Sequence, residues 1–209
     1  MPEQLIERYP QLGVCMDDIL KAKNMMLDSY YAGGKFLVCG NGGSCADADH
    51  IVGELMKGFL KKRKMGSACA QKFRNRLGEA AAEELIGKLQ CGIPAISLPS
   101  QSAVLSAYAN DVDARLAYAQ LVFGYAGKGD LLIALSTSGN SENVVAAAMV
   151  AKVVGIGSIA LTGEKESRLS ALCDCTVRVP ESETFKVQEL HLPVYHFLCA
   201  SLEKEIFGE

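Results

Sequence analysis

The fold this chain predicts is α/β: a three-layer α/β/α sandwich, doubly wound around a five-stranded parallel sheet and flavodoxin-like in its winding. Three observations carry that prediction. Short apolar runs recur five times, each followed by a polar or glycine-rich turn and, as a rule, by residues at helical spacing. Short buried strands alternating with helices argue for a parallel sheet covered on both faces. Finally, 209 residues with 49% hydrophobic content suffice for one well-filled core and are short for two, so a single domain over 1–209 is expected.

Each element follows in order. Residues 3 to 32 place Leu5, Ile6, Leu12, Val14, Ile19, Leu20, Met25 and Met26 at helical spacing, and Gly33-Gly34 ends what reads as one N-terminal helix. Phe36-Leu37-Val38-Cys39 is the first strand, followed at once by Gly40-Asn41-Gly42-Gly43-Ser44 and a helix. Ala95 to Leu98, Leu131 to Leu135, Ser158 to Leu161 and Thr176 to Val179 are the remaining strands, with helices expected at about 142–154 and 185–206. The segment 61–92 interrupts this rhythm as an insertion. Its Lys61-Lys62-Arg63-Lys64 cluster reads as a solvated helix end, with a grip on phosphate as the less favoured alternative. Behind it, Ala70 to Leu89 reads as one amphipathic helix with Gly78 and Gly87 as weak points, serving as a cap or a subunit contact.

Composition excludes several classes of partner. A net charge of -3 supplies no basic field for nucleic acid or an anionic membrane. No apolar stretch reaches the roughly 18 residues of a membrane span, and Met1 to Arg8 carries no signal pattern, so a cytoplasmic protein is expected. The eight cysteines are scattered without a CxxC pair and read as reduced, mostly buried thiols. Cys45 is the exception: it opens a helix, where the helix dipole is expected to lower its pKa. Neither a dinucleotide fingerprint nor a Walker loop occurs, which argues against nucleotides.

Two loops and two pairs of side chains carry the chemistry. The glycines of residues 40–43 let backbone approach a ligand closely, and the helix from Ser44 aims unpaired N–H groups at it. Ser136-Thr137-Ser138-Gly139-Asn140-Ser141 crowds four hydroxyls around a glycine at the end of a strand and the start of a helix, which suits a terminal phosphate; Ser141 or Asn140 acting only as a helix cap is the plainer alternative. Of three histidines, His50 has Glu54 four residues on, on the same helical face, so the two can converge on one metal ion or substrate atom. His196 shares the final helix with Gln188, eight residues away or about 12 Å along an ideal axis. Pro193 lies between them, and its kink either brings the pair together or spoils the geometry. His191 reads as a hydrogen-bonded core residue.

Taken together, Cys39-Gly40-Asn41-Gly42-Gly43-Ser44, His50, Glu54, Asn110-Asp111, the 136–141 loop, Gln188-Glu189, His191 and His196 resemble the sugar isomerase (SIS) domain family, and within it the phosphoheptose isomerases. The resemblance covers the chain apart from the 61–92 insertion. It implies a sugar-phosphate aldose–ketose isomerase, sedoheptulose 7-phosphate being the expected substrate, assembled as a homotetramer with active sites at subunit contacts. It assigns Asn41, Gly42, Gly43, Ser44, Asn110, Asp111, Ser136, Thr137, Ser138, Ser141 and Gln188 to substrate binding. It assigns His50, Glu54, Gln188 and His196 to a zinc ion, with Glu54 and His196 also as the acid–base pair. An isomerase of another sugar phosphate would use the same loops and acid–base pair, and a non-catalytic SIS module that binds sugar phosphate for regulation is the rival reading from another class. Such a module needs the loops but has no use for those four side chains together.

Overall fold

The computed structural model describes residues 2–208. In chain order the elements are α1 (Pro2–Arg8), a 3-10 turn (Pro10–Cys15), α2 (Met16–Tyr31), β1 (Phe36–Cys39), α3 (Gly43–Met56), α4 (Ser67–Leu77), α5 (Glu79–Lys88), β2 (Ala95–Ser97), α6 (Ser102–Tyr108), a π turn (Ala109–Asp113), a 3-10 turn (Ala114–Leu116), α7 (Ala117–Tyr125), β3 (Leu131–Leu135), α8 (Glu142–Val154), β4 (Gly157–Thr162), α9 (Arg168–Leu172), β5 (Cys175–Arg178) and α10 (Thr184–Phe207). The five strands form one parallel sheet in the order β2-β1-β3-β4-β5. Because side chains alternate along a strand, each of the inner strands β1, β3 and β4 feeds two cores. Phe36, Val38, Leu131, Ile133, Leu135, Ile159, Leu161 and Val177 pack with α2, α3 and α10 on one face; Leu37, Cys39, Leu132, Ala134 and Ala160 pack with α7, α8 and α9 on the other. Both faces of the inner strands are thus covered, which is why β1 and β3 read as unbroken apolar runs.

The strand order fixes where a ligand can sit. From β1 the chain first winds outward to β2 and then returns to β3 on the other side, so the connections leave β1 and β3 in opposite senses and open a crevice at their carboxyl ends. The glycine loop leaves β1 at that crevice and the serine loop leaves β3.

Three readings of the sequence are corrected. The N-terminal helix is not continuous over 3–32: Tyr9 sits at φ -132°, ψ 72°, and the chain passes through the 3-10 turn before α2 begins. Pro10 has no N–H to donate, and its ring pushes the preceding residue out of the α region. The helix expected over 70–89 is two, broken at Gly78, whose φ of +77° is open to glycine at little cost. This α4–α5 hairpin is fastened at its neck by an antiparallel bridge between Lys64 and Gln90. Finally, the basic cluster is not a helix end, since 61–64 lies outside any helix, and of its four residues Arg63 is not solvated. Arg63 is 1% exposed and ion-paired to Glu203 of α10 at 2.7 Å.

Candidate active site

The two ligand-facing loops are joined to each other and to α10. Asn41 and Asn143 exchange amide hydrogen bonds of 2.8 and 2.9 Å, bridging the glycine loop to the first turn of α8. Gly43 begins α3 with the Gln188 amide against it: a Cβ placed there would lie 2.6 Å from Gln188 Nε2, so glycine lets that amide approach this closely. Gly40 is held by Tyr118, whose buried hydroxyl donates to its carbonyl at 2.8 Å. In the serine loop Ser136 and Ser141 share a hydroxyl hydrogen bond of 3.0 Å, and Ser138 Oγ accepts from the Asn140 N–H at 3.1 Å. Ser141 occupies the capping position of α8 without a side-chain cap bond, and the Asn140 carboxamide oxygen instead accepts from Arg168 N–H. Neither side chain caps α8, and that of Asn140 serves the first N–H of α9 instead. Thr137 is fixed through its carbonyl, which accepts from Gly163 N–H at 3.0 Å. Ser44 is buried beneath the glycine loop. Asn110 and Asp111 lie exposed in the π turn, where they bond to each other at 2.8 Å.

The second group lies between α3 and α10. His50 Nε2 is 3.3 Å from Glu54 Oε1 and 3.5 Å from His196 Nε2, so the i, i+4 pair and the distant histidine do converge. Their rings meet edge to face at 5.0 Å between centroids, with Phe59 against the far side of His196. Burial, reinforced by His50, holds His196 below its ordinary pKa against the opposing pull of Glu54, so its imidazole is neutral near pH 7. The other oxygen of Glu54 accepts from Lys57 at 3.0 Å. Gln188 lies at the start of α3 with its amide against Gly43, and α10 runs unbroken through Pro193. A cavity of about 560 Å³ opens against His196, walled by Leu5, Tyr9, Phe59, Leu192 and Phe197, with Arg8 at its edge.

A buried ion pair supports this group from behind. Arg63 donates through Nη1 to the Leu55 carbonyl at 2.5 Å and through Nη2 to the Glu54 carbonyl at 3.0 Å, satisfying two end-of-helix acceptors of α3. Glu203 accepts from Arg63 Nε at 2.7 Å and from the backbone N–H groups of Phe59, Leu60 and Lys61. Burial alone would push the Glu203 carboxyl up, but these donors outweigh it and hold it below the usual carboxylate range. Tyr195 and Asp47 form a second support: the Tyr195 hydroxyl is 3.0 Å from His50 Nδ1 and donates to Asp47 Oδ1 at 3.2 Å.

None of these supporting residues, nor Asn143, stands out in the sequence. The usable signals are positional: Asp47 is one helical turn before His50, and Tyr195 immediately precedes His196. Cys45 requires a correction. Burial and the nearby Asp49 push its thiol up, opposite to the lowering expected from its place at a helix start, so it is not an activated thiolate.

Two imidazoles and a carboxylate are the ligand types of a zinc site. Among the described residues no three His, Cys, Asp or Glu side chains already close on one point. The two edges from His50 Nε2, 3.3 and 3.5 Å, nevertheless match the spacing of about 3.4 Å that tetrahedral ligands at about 2.0–2.1 Å impose. The donor set fits zinc in kind and in those two edges. Among the described residues no helix is long and apolar enough to cross a membrane.

Comparison with known proteins matches two SIS domain models, over residues 14–75 and 100–201. The chain is 34% identical to the phosphoheptose isomerase of Rhodospirillum rubrum over 195 residues, covering 93% of this chain and 89% of the relative. It is 38% identical to that of Nitratiruptor sp. over 170 residues, 81% of this chain and 76% of the relative. Among solved structures it superposes on a phosphoheptose isomerase from Francisella tularensis with a TM-score of 0.76 at 27% identity, covering 97% and 94% of the two chains. The corresponding structure from Neisseria gonorrhoeae gives a TM-score of 0.75 at 26% identity, with the same coverage.

Proposed function

We propose, from the premise that this chain belongs to the phosphoheptose isomerase family of SIS-domain proteins, that it is a sugar-phosphate aldose–ketose isomerase whose substrate is sedoheptulose 7-phosphate. The observation that carries the reading is the convergence of His50, Glu54 and His196 from two helices, in a chain that also carries the two ligand-facing loops. A regulatory module that only binds a sugar phosphate has no need of such a group.

The residues divide the work by chemistry. The hydroxyls of Ser136, Thr137, Ser138 and Ser141, with the first-turn N–H groups of α8, hold the phosphate. Asn41, Gly42, Gly43, Ser44, Asn110, Asp111 and Gln188 position the carbon chain. Glu54 removes the proton from the carbon beside the ketose carbonyl, leaving an enediolate, and returns it to the neighbouring carbon. His196, neutral near pH 7, moves the proton between the two oxygens. A zinc ion held by His50, Glu54, His196 and Gln188 supplies Lewis-acid polarisation of the substrate oxygens when bound. We take the working assembly to be a cytoplasmic homotetramer with sites at subunit contacts.

Turnover of sedoheptulose 7-phosphate by the purified protein, before and after chelation and beside Glu54→Gln, tests the reading. The expected result is turnover that chelation abolishes and zinc restores, with Glu54→Gln slower by about 10²–10⁴-fold at retained binding. Binding without turnover under every metal condition would instead support the regulatory module.

A further inference from the structure

We propose that Tyr195 and Asp47 are positioning residues that fix His50 as the Nδ1–H tautomer, leaving Nε2 as a bare lone pair aimed at Glu54 and His196. The geometry is a three-member chain from α3 to α10 and back. His50 Nδ1 lies 3.0 Å from the Tyr195 hydroxyl, which lies 3.2 Å from Asp47 Oδ1, and Asp47 and His50 are one turn apart on α3. Tyr195 is 2% exposed, so bulk water does not compete for its hydroxyl.

Proton counting sets the direction. A phenol carries one proton, and the Tyr195 hydroxyl donates it to Asp47 Oδ1, so its oxygen is left to accept. The only donor then available on the facing ring is Nδ1–H. A neutral imidazole has a single N–H, so Nε2 carries none. That nitrogen is the one facing Glu54 Oε1 at 3.3 Å and His196 Nε2 at 3.5 Å. Oxygen and nitrogen lone pairs pointed at one another favour a cation or a donated proton between them, and the chain prepares His50 to supply its share. The ring is also fixed in angle, since Tyr195 packs edge-on against it at 5.4 Å between centroids. The use made of Nε2 rests on the isomerase reading above; the tautomer itself rests only on the hydrogen bonds.

The test is nitrogen NMR of the ring atoms in histidine-labelled protein, read after chelation so that no metal imposes the tautomer. Three histidines make assignment by single substitution practical. The expected result is His50 with its proton on Nδ1 in the native sequence, and a mixture of tautomers in Tyr195→Phe, which keeps the ring and removes only the hydroxyl. Zinc affinity, read by competition with a chelating dye, is expected to fall about 10–100-fold in Tyr195→Phe. A native His50 protonated on Nε2 would overturn the proposal. So would a Tyr195→Phe protein with both tautomer and metal affinity unchanged. The Nδ1–H tautomer in a protein that turns over no sugar phosphate would uphold the relay while refuting the isomerase reading.

Discussion

Acidification is expected to destabilise this protein through His191, and the size of the effect follows from its surroundings. His191 lies on α10 with no solvent exposure; its Nε2 is 3.3 Å from the Thr162 carbonyl at the end of β4, and its Nδ1 is buried with no partner among the described residues. Desolvation lowers its pKa from the ordinary 6.5 to about 4, opposed only weakly by the Thr162 carbonyl. Between those values the unfolded chain binds a proton at this site and the folded chain does not. Stability therefore falls as pH drops, beginning near 6.5 and levelling near 4, below which both states are protonated. At about 1.36 kcal/mol per pH unit, the loss attributable to this one ring is about 2 kcal/mol at pH 5 relative to pH 7.5. In His191→Gln, whose amide can still donate to Thr162, that component disappears while every other titration remains. Urea denaturation at the two pH values, native against variant, reads the difference directly, and it corresponds to about 4–8 °C in melting temperature for a chain of this size. Parallel losses in the two proteins would refute the argument, as would an NMR titration placing His191 near 6.5.

Other outcomes follow from the same structure. Glu203→Gln leaves Arg63 charged and buried without its counter-ion, and is expected to cost about 3–5 kcal/mol in urea denaturation. Adding Arg63→Met is expected to recover much of that loss, and a Glu203→Gln protein as stable as the native one would mean that the pair is not desolvated as its burial indicates. Gly43→Ala places a Cβ within 2.6 Å of Gln188 Nε2 and drives that amide off the glycine loop. Because the displaced group is the end of a flexible side chain, stability should change by less than about 1 kcal/mol while KM for the sugar phosphate rises; an unchanged KM would remove Gln188 from the substrate site.

The parts legible in the sequence and the parts that were not separate along a physical line. The inner strands were legible because a strand buried on both faces has no polar alternation to confuse with anything else, as Leu131 to Leu135 illustrates. The loops were legible because glycines and hydroxyls at strand ends report backbone approach directly. The helix breaks were written locally, at Tyr9-Pro10 and Gly78, but a strong apolar periodicity on either side outweighed them. What stayed hidden depends on partners far away in the chain. Arg63 looks like one more lysine-rich surface residue until Glu203, 140 residues on, is folded against it. The same holds for Tyr195, an ordinary aromatic of a core helix until α3 brings Asp47 and His50 to its hydroxyl. Periodicity identifies which side chains are buried, and motif identifies which can react. Neither reveals which buried polar group is paired, because that pairing exists only once two helices distant in sequence have packed. The support of the candidate site is built almost wholly from such pairs: Arg63 holds the Glu54 end of α3, and Tyr195 holds His50 on the same helix. Substitutions there are expected to degrade the site while leaving every recognisable motif intact.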